Sequence, residues 1–159
     1  MEKHPICIKK TLIFSIKLLG CPYNLFKGFQ TEKDSLDISY LKENGMNSVG
    51  FINILRRFNK LKIPGTGKIN SWFFYLKRKN RLKKIIKNKK YPNGTLFLAN
   101  YKARGDKDPG HMAVIFSNKI IHCYNDEGVI INDLKKSDSL FGGKYYTHIC
   151  YPKDWILID

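Results

Sequence analysis

Three residues of this chain have side chains and positions suited to nucleophilic catalysis: Ser48, His111 and His122. Ser48 follows the turn-forming Gly45 and precedes the run "VGFINILRR" (49–57), whose apolar residues repeat at helical spacing. A helix that begins at Ser48 puts the serine hydroxyl beside the unpaired N–H groups of the first turn. Such a serine is either an N-cap or a nucleophile whose developing anion the helix start stabilises.

The two histidines flank a predicted β-hairpin in "GHMAVIFSNKIIHCYNDEG" (110–128). A two-residue loop at Ser117–Asn118 pairs Phe116 with Lys119 and places His111 and His122 on one face of the hairpin. A loop one residue longer would place them on opposite faces. Two histidines on one face are typical of a base and the partner that orients it. The alternative is a pair of partly exposed histidines without a common role.

The surrounding pattern predicts the elements that position these residues, in a single α+β domain over 1–159. Helices are expected at Ile6–Leu19, near Ser39–Glu43 and at Ser48–Lys60. Short β-rich runs follow at 95–100, 111–117, 119–124, 128–133 and 144–151. Helices first and an antiparallel sheet second is the expected order.

Charge is the second prominent feature, with 29 Lys and Arg against 13 Asp and Glu, a formal net charge of +16. This balance favours polyanionic partners such as nucleic acid, an anionic membrane or an anionic polymer. The stretch 71–90, within a basic insertion around 63–92, contains no acidic residue, and its apolar residues from Trp72 to Ile86 predict a helical stripe. Its cations form either a solvated helix face or an anion-binding face: Lys77, Arg78, Lys79, Arg81, Lys83, Lys84 and Lys87.

The cysteines and the N-terminus bear on the compartment. Four cysteines show no paired spacing and the histidines complete no zinc motif, so we expect a reduced protein and no metal site. "LLGC" (18–21) is similar to a lipoprotein cleavage box, but Lys17 interrupts the apolar run before it. We therefore expect an ordinary first helix, and an intracellular or virion-associated protein rather than a secreted one. His4 and His148 have no evident partners.

Five short motifs in order resemble those of the NlpC/p-sixty superfamily of papain-like cysteine endopeptidases. They are "GCPY" (20–23), "NSVGF" (47–51), "GTLFL" (94–98), "HMAVIF" (111–116) and "IIHCY" (120–124). The resemblance covers roughly residues 6–124 and implies a papain-like fold with helices packed on a central antiparallel sheet. The departures are Asn47 for Asp, Val49 for Ser, and Phe26-Lys27-Gly28 for Trp-Gly-Gly.

The resemblance also implies a role for each candidate residue. Ser48 falls on the family's catalytic cysteine, His111 on its general base and His122 on the residue that orients the base. Tyr23 falls on a tyrosine that lines the active site. The expected activity is a cysteine hydrolase or acyltransferase that acts on a peptide, peptidoglycan-like or acyl substrate, without a cofactor.

Serine at position 48 changes this expectation. A cysteine beside an imidazole at a helix start can ionise near neutral pH, whereas a serine cannot. The favoured interpretation is an engineered replacement of a native cysteine, which leaves the enzyme inactive. A natural serine hydrolase is a second interpretation, and a third is a degenerate binding module that uses residues 71–90 on nucleic acid or an anionic membrane. The sequence does not determine the oligomeric state.

Overall fold

The computed structural model describes residues 4–27, 36–64, 68–86, 88–99, 110–134 and 146–156, with the backbone alone for 4–7. Over these ranges the chain is a mixed α+β structure with five helices and one six-stranded antiparallel sheet. The α+β prediction is therefore confirmed, including the order of helices before most of the sheet. No helix in the described part of the chain has the length and apolar character needed to cross a bilayer.

The helices agree closely with the sequence pattern. They are α1 (His4–Lys17), α2 (Ile38–Asn44), α3 (Ser48–Phe58), α4 (Ile69–Arg78) and α5 (Pro152–Trp155). Helix α1 ends two residues earlier than expected, and Gly20 beyond it has a positive φ of 79°, a conformation that glycine adopts without strain. The sequence pattern does not predict α5, because a single turn is too short to show a period.

The strands are β1 (Lys83–Lys84), β2 (Leu96–Ala99), β3 (His111–Phe116), β4 (Lys119–Tyr124), β5 (Gly128–Asp133) and β6 (His148–Cys150). Their order in the sheet is β1-β6-β2-β3-β4-β5. The hairpins β3–β4 and β4–β5 join neighbours in the chain, and β6 inserts between β1 and β2. All five predicted β-runs therefore contain a strand.

The helical stripe predicted over 71–90 is wrong in its second half. Helix α4 ends at Arg78, and the chain then turns through Lys79 and Asn80. Lys83 and Lys84 form a short edge strand against β6. The apolar residues of 82–86 that suggested a helix instead follow an extended course at the sheet edge.

The two faces of the sheet carry separate apolar clusters. The larger cluster joins α1, α2, α3, α4 and α5 to the face of the sheet that carries Leu98, Met112 and Val114. The smaller cluster lies on the other face, around Phe97 and Ile115. This alternation follows from the two-residue period of a strand.

A buried arginine ties α3 to the elements around it. Arg56, 1% exposed, donates to the carbonyl of Trp155 at 2.7 Å and to the hydroxyl of Tyr75 at 2.9 Å. It also donates to the carbonyl of Lys62, and its guanidinium lies 5.7 Å from the Trp72 ring centroid. These contacts satisfy a charge that would be costly to bury alone, and they fix the end of α3 against α4 and α5.

Candidate active site

The histidine pair is positioned by the turn between β3 and β4. Ser117 and Asn118 have positive φ angles of 48° and 62°, as a two-residue hairpin turn with left-handed central residues requires. Phe116 pairs with Lys119, so the predicted loop length and register are confirmed. His111 and His122 consequently lie on the same face of the sheet.

The two imidazoles are in direct contact. Nε2 of His111 lies 2.8 Å from Nδ1 of His122, and the ring centroids are 5.0 Å apart at an interplanar angle of 79°. His111 is 6% exposed and His122 is fully buried. On the far side of His122, its Nε2 lies 3.2 Å from Nδ2 of Asn132 on β5. The sequence does not specify which nitrogen of His111 is held, and the structure shows that it is Nε2.

Burial keeps both rings neutral near pH 7. Burial, with a smaller effect of the adjacent His122, lowers the pKa of His111 well below its usual value. Burial also lowers the pKa of His122 to about 4. A neutral imidazole has one donor and one acceptor nitrogen, so the His111–His122 contact is a single N–H···N hydrogen bond. Because Nε2 of His111 is engaged by His122, Nδ1 is the atom through which His111 would accept a nucleophile's proton.

The residue that caps helix α3 is Asn47, not Ser48. Asn47 is the N-cap: its side-chain oxygen accepts from the N–H of Gly50 at 2.8 Å, and its amide nitrogen donates to the carbonyl of Leu25 at 2.9 Å. The N-cap interpretation of Ser48 is therefore wrong, because Ser48 is the first residue inside the helix. Its side chain is not needed to cap the helix, and the cap engages the N–H of Gly50 rather than that of Ser48.

The start of α3 is linked to the strand that carries His122. The carbonyl of Met46 accepts a hydrogen bond from Sγ of Cys123, which follows His122 in β4, at 2.9 Å. Tyr23 forms an isolated parallel bridge with Met46, two residues before Ser48. Burial raises the pKa of Tyr23, as do the nearby Cys123 and Asp126 to a smaller extent, so its hydroxyl remains a donor at neutral pH.

The structure joins His111 and His122 directly, but it does not join Ser48 to them. Along β3, His111 shares a face with Ala113, whereas α3 packs against the face that carries Met112. Among the described residues, no hydrogen bond links Ser48 to either histidine. His111 is the first residue of β3, so it lies at the end of that strand.

The cations predicted to bind an anion lie on α4, on β1 and in the segment between them, away from the strands that carry the two histidines. Lys77, Arg78, Lys79, Lys83 and Lys84 are exposed, and we call them the basic surface. Arg81 differs, since it is half-buried and its guanidinium lies 3.3 Å from both the Tyr75 hydroxyl and the Asp154 carbonyl. Lys87 lies outside the described residues.

Sequence reasoning missed three polar residues around the histidines. Asn132 contacts His122, the Tyr124 ring lies 5.8 Å from His122, and the Tyr146 ring lies 6.2 Å from His111. Asn132 could have been found by extending the hairpin argument to β4 and β5, because it shares the face of His122. Tyr146 precedes β6, and no local pattern relates it to β3.

The other histidines and the cysteines supply no second site in the described ranges. His148 does have partners, since its ring packs edge-on against Phe73 at 5.4 Å and contacts the Thr147 hydroxyl at 2.8 Å. The side chain of His4 lies outside the described part. Cys21, Cys123 and Cys150 are buried and unpaired with one another. Within the same ranges, no group of three or more His, Cys, Asp or Glu side chains is arranged to hold a metal ion.

Comparison with known proteins adds no assignment. No protein-family model matches the chain, and a search of curated proteins gives no match either.

Proposed function

We propose that the chain is a hydrolase or acyltransferase of the cysteine-peptidase type, built on a papain-like NlpC fold, with position 48 as the nucleophile. The observation that carries this proposal is the buried His111–His122 hydrogen bond of 2.8 Å. A neutral imidazole held at one nitrogen by a second buried group is the arrangement that orients a general base. The start of α3 also supports position 48 as the nucleophile. Asn47 supplies the cap, so the helix does not need a serine at position 48 for capping.

The proposed reaction begins with attack of the side chain at position 48 on an amide or ester carbonyl. Its proton moves to Nδ1 of His111, and the new bond gives a tetrahedral oxyanion. The N–H of residue 48, with the Tyr23 hydroxyl, would stabilise this oxyanion. His111 then protonates the leaving amine or alcohol, and water or another acceptor releases the acyl group by the reverse steps. Serine must lose its proton during the attack, so we expect the Ser48 form to be inactive or slow.

The test is the pH profile of alkylation of a Ser48→Cys protein by iodoacetamide. Cys7→Ser is included as the background, and the buried thiols of Cys123 and Cys150 have pKa values raised by burial to about 12, so they react slowly. The matched control is Ser71→Cys, which places a thiol in the first turn of α4 rather than of α3. A thiolate next to an imidazole should show an alkylation midpoint below pH 7, against roughly 8.5 for an ordinary thiol.

The dependence on His111 completes the test. Adding His111→Ala to the Ser48→Cys protein should move the midpoint back towards that of the Ser71→Cys control. Circular dichroism establishes that each variant is folded. A Ser48→Cys midpoint equal to that of the control would overturn the proposal.

A second candidate function is binding of a phosphate-bearing polymer or membrane by the basic surface. Lys77 and Arg78 lie three and four residues after Phe74, which is 67% exposed, so an aromatic ring and two cations share one face of α4. Lys83 and Lys84 add two exposed cations on the edge strand. An exposed aromatic ring beside cations can stack on a base and pair with phosphates of single-stranded nucleic acid. The same combination can bind an anionic lipid interface.

Salt dependence tests this second function. We expect affinity for a single-stranded oligonucleotide or for vesicles with anionic lipid to fall steeply between about 50 and 200 mM salt. Lys83→Gln with Lys84→Gln should weaken it, whereas Lys9→Gln with Lys10→Gln on α1 should weaken it less. An affinity that changes neither with salt concentration nor with the Lys83→Gln and Lys84→Gln substitutions would contradict a role for the basic surface.

A further inference from the structure

Asn132 occupies a defined place beside the histidine pair. In the β4–β5 register His122 lies opposite Ile130, and Asn132 lies opposite Ile120, so Asn132 is the diagonal neighbour of His122 on the same face. Its amide group is 3.2 Å from Nε2 of His122. Nδ1 of the same ring is 2.8 Å from His111. Three side chains on three adjacent strands therefore form one continuous chain of hydrogen bonds.

The proton positions in this chain are coupled. If the amide NH₂ of Asn132 donates to Nε2 of His122, the proton of His122 is on Nδ1 and is donated to Nε2 of His111. The proton of His111 is then on Nδ1. If the amide oxygen of Asn132 faces His122 instead, Nε2 of His122 carries the proton and Nδ1 accepts from Nε2–H of His111. In that second arrangement Nδ1 of His111 carries a lone pair.

We propose that Asn132 is a positioning residue that acts through His122, and that the orientation of its amide sets which ring nitrogen of His111 holds the proton. A half-turn about the terminal torsion exchanges the amide oxygen and nitrogen with little change in shape. The arrangement with the oxygen towards His122 is the one in which His111 can accept a proton at Nδ1. The assignment of His111 as a base rests on the proposed function, but the coupling of Asn132 to the two tautomers does not.

The test measures the tautomers directly, by long-range ¹⁵N–¹H correlation spectra of the histidine rings at pH 7. Asn132→Asp provides a carboxylate that only accepts, so Nε2 of His122 should carry a proton. A neutral His122 then holds His111 in the Nε2–H form, whereas a doubly protonated His122 donates from both nitrogens and holds His111 in the Nδ1–H form, and the ¹⁵N shifts distinguish the two cases. Asn132→Leu provides neither donor nor acceptor, so the tautomer populations of the two rings should differ from those in Asn132→Asp. His148, on β6, serves as the internal reference and should be unchanged.

An activity readout separates this inference from the proposed function. In the Ser48→Cys background, alkylation near neutral pH should be at least about tenfold slower with Asn132→Leu than with Asn132→Asp. If the substitutions at position 132 change the tautomers but not the alkylation rate, the role of Asn132 stands and the assignment of position 48 as the nucleophile is overturned. His111 and His122 tautomers that are the same in all three proteins, or an Nδ1–H form of His111 beside a neutral His122 in Asn132→Asp, would overturn the inference. If Asn132→Leu does not fold, Asn132→Asp alone still decides it.

Discussion

Acidification should destabilise this protein through the buried histidine pair. His122 has a folded-state pKa of about 4 because of burial, against about 6.5 in an unfolded chain. Between these values the unfolded state binds more protons than the folded state, so the free energy of unfolding falls as pH drops below 6.5. At about 1.4 kcal/mol per pK unit, His122 alone removes about 1.4 kcal/mol by pH 5.5 and about 2.5 kcal/mol by pH 4.5. The lowered pKa of His111 acts in the same direction.

Urea unfolding at pH 7.0, 5.5 and 4.5 measures this effect in the parent and in His122→Asn. The substitution removes the titrating ring, so the slope of stability against pH should be shallower by roughly 2 kcal/mol between pH 7.0 and 4.5. Comparing slopes rather than absolute values cancels any destabilisation by the substitution that does not depend on pH. His148→Asn is the matched control and should change the slope less, because His148 is partly exposed. Parallel curves for the parent and His122→Asn would refute the buried neutral pair.

Other consequences concern the start of α3 and the cysteines. Asn47→Ala should lower the free energy of unfolding by about 1 kcal/mol in urea titrations, since it removes the N-cap, and an unchanged midpoint would contradict the cap. Gly50→Ala should cost roughly 2 kcal/mol or more, because a Cβ there would overlap the carbonyl oxygen of Lys27; a stability equal to the parent's would show that the two backbones do not approach so closely. Cys123 and Cys150 should resist alkylation at pH 7.5 until urea unfolds the chain, because burial raises the pKa of both thiols. Mass spectrometry that finds either cysteine alkylated in the native protein would contradict this prediction.

The features predicted well from the sequence are those determined by local periodicity and turn chemistry. The start of α3 followed from the apolar period after Ser48, and the common face of His111 and His122 followed from the two-residue loop at Ser117–Asn118. Both inferences need only neighbours in the chain. This register places the two histidines, which are eleven residues apart in the chain, as diagonal neighbours on one face. The structure shows that they form a hydrogen bond.

The features that were missed depend on longer-range contacts. A stretch of cations interleaved with apolar residues fits a helix as well as an edge strand, so β1 could not be distinguished before β6 was known to pair with it. The N-cap interpretation of Ser48 was wrong by one residue, because Asn47 and Ser48 are both good capping residues. Asn132 required a second hairpin register, and the pKa values required burial that only the packed sheet provides.

The most direct test of the central claim is whether position 48 and His111 interact, and ¹⁵N NMR titration of His111 measures it. In the parent, His111 should remain neutral well below pH 6.5. In Ser48→Cys, a thiolate in contact with the ring favours the imidazolium, so the pKa of His111 should rise by more than about one unit and the thiol should ionise with it. An unchanged His111 titration in Ser48→Cys would show that the two groups do not meet, and would contradict the proposed catalytic site.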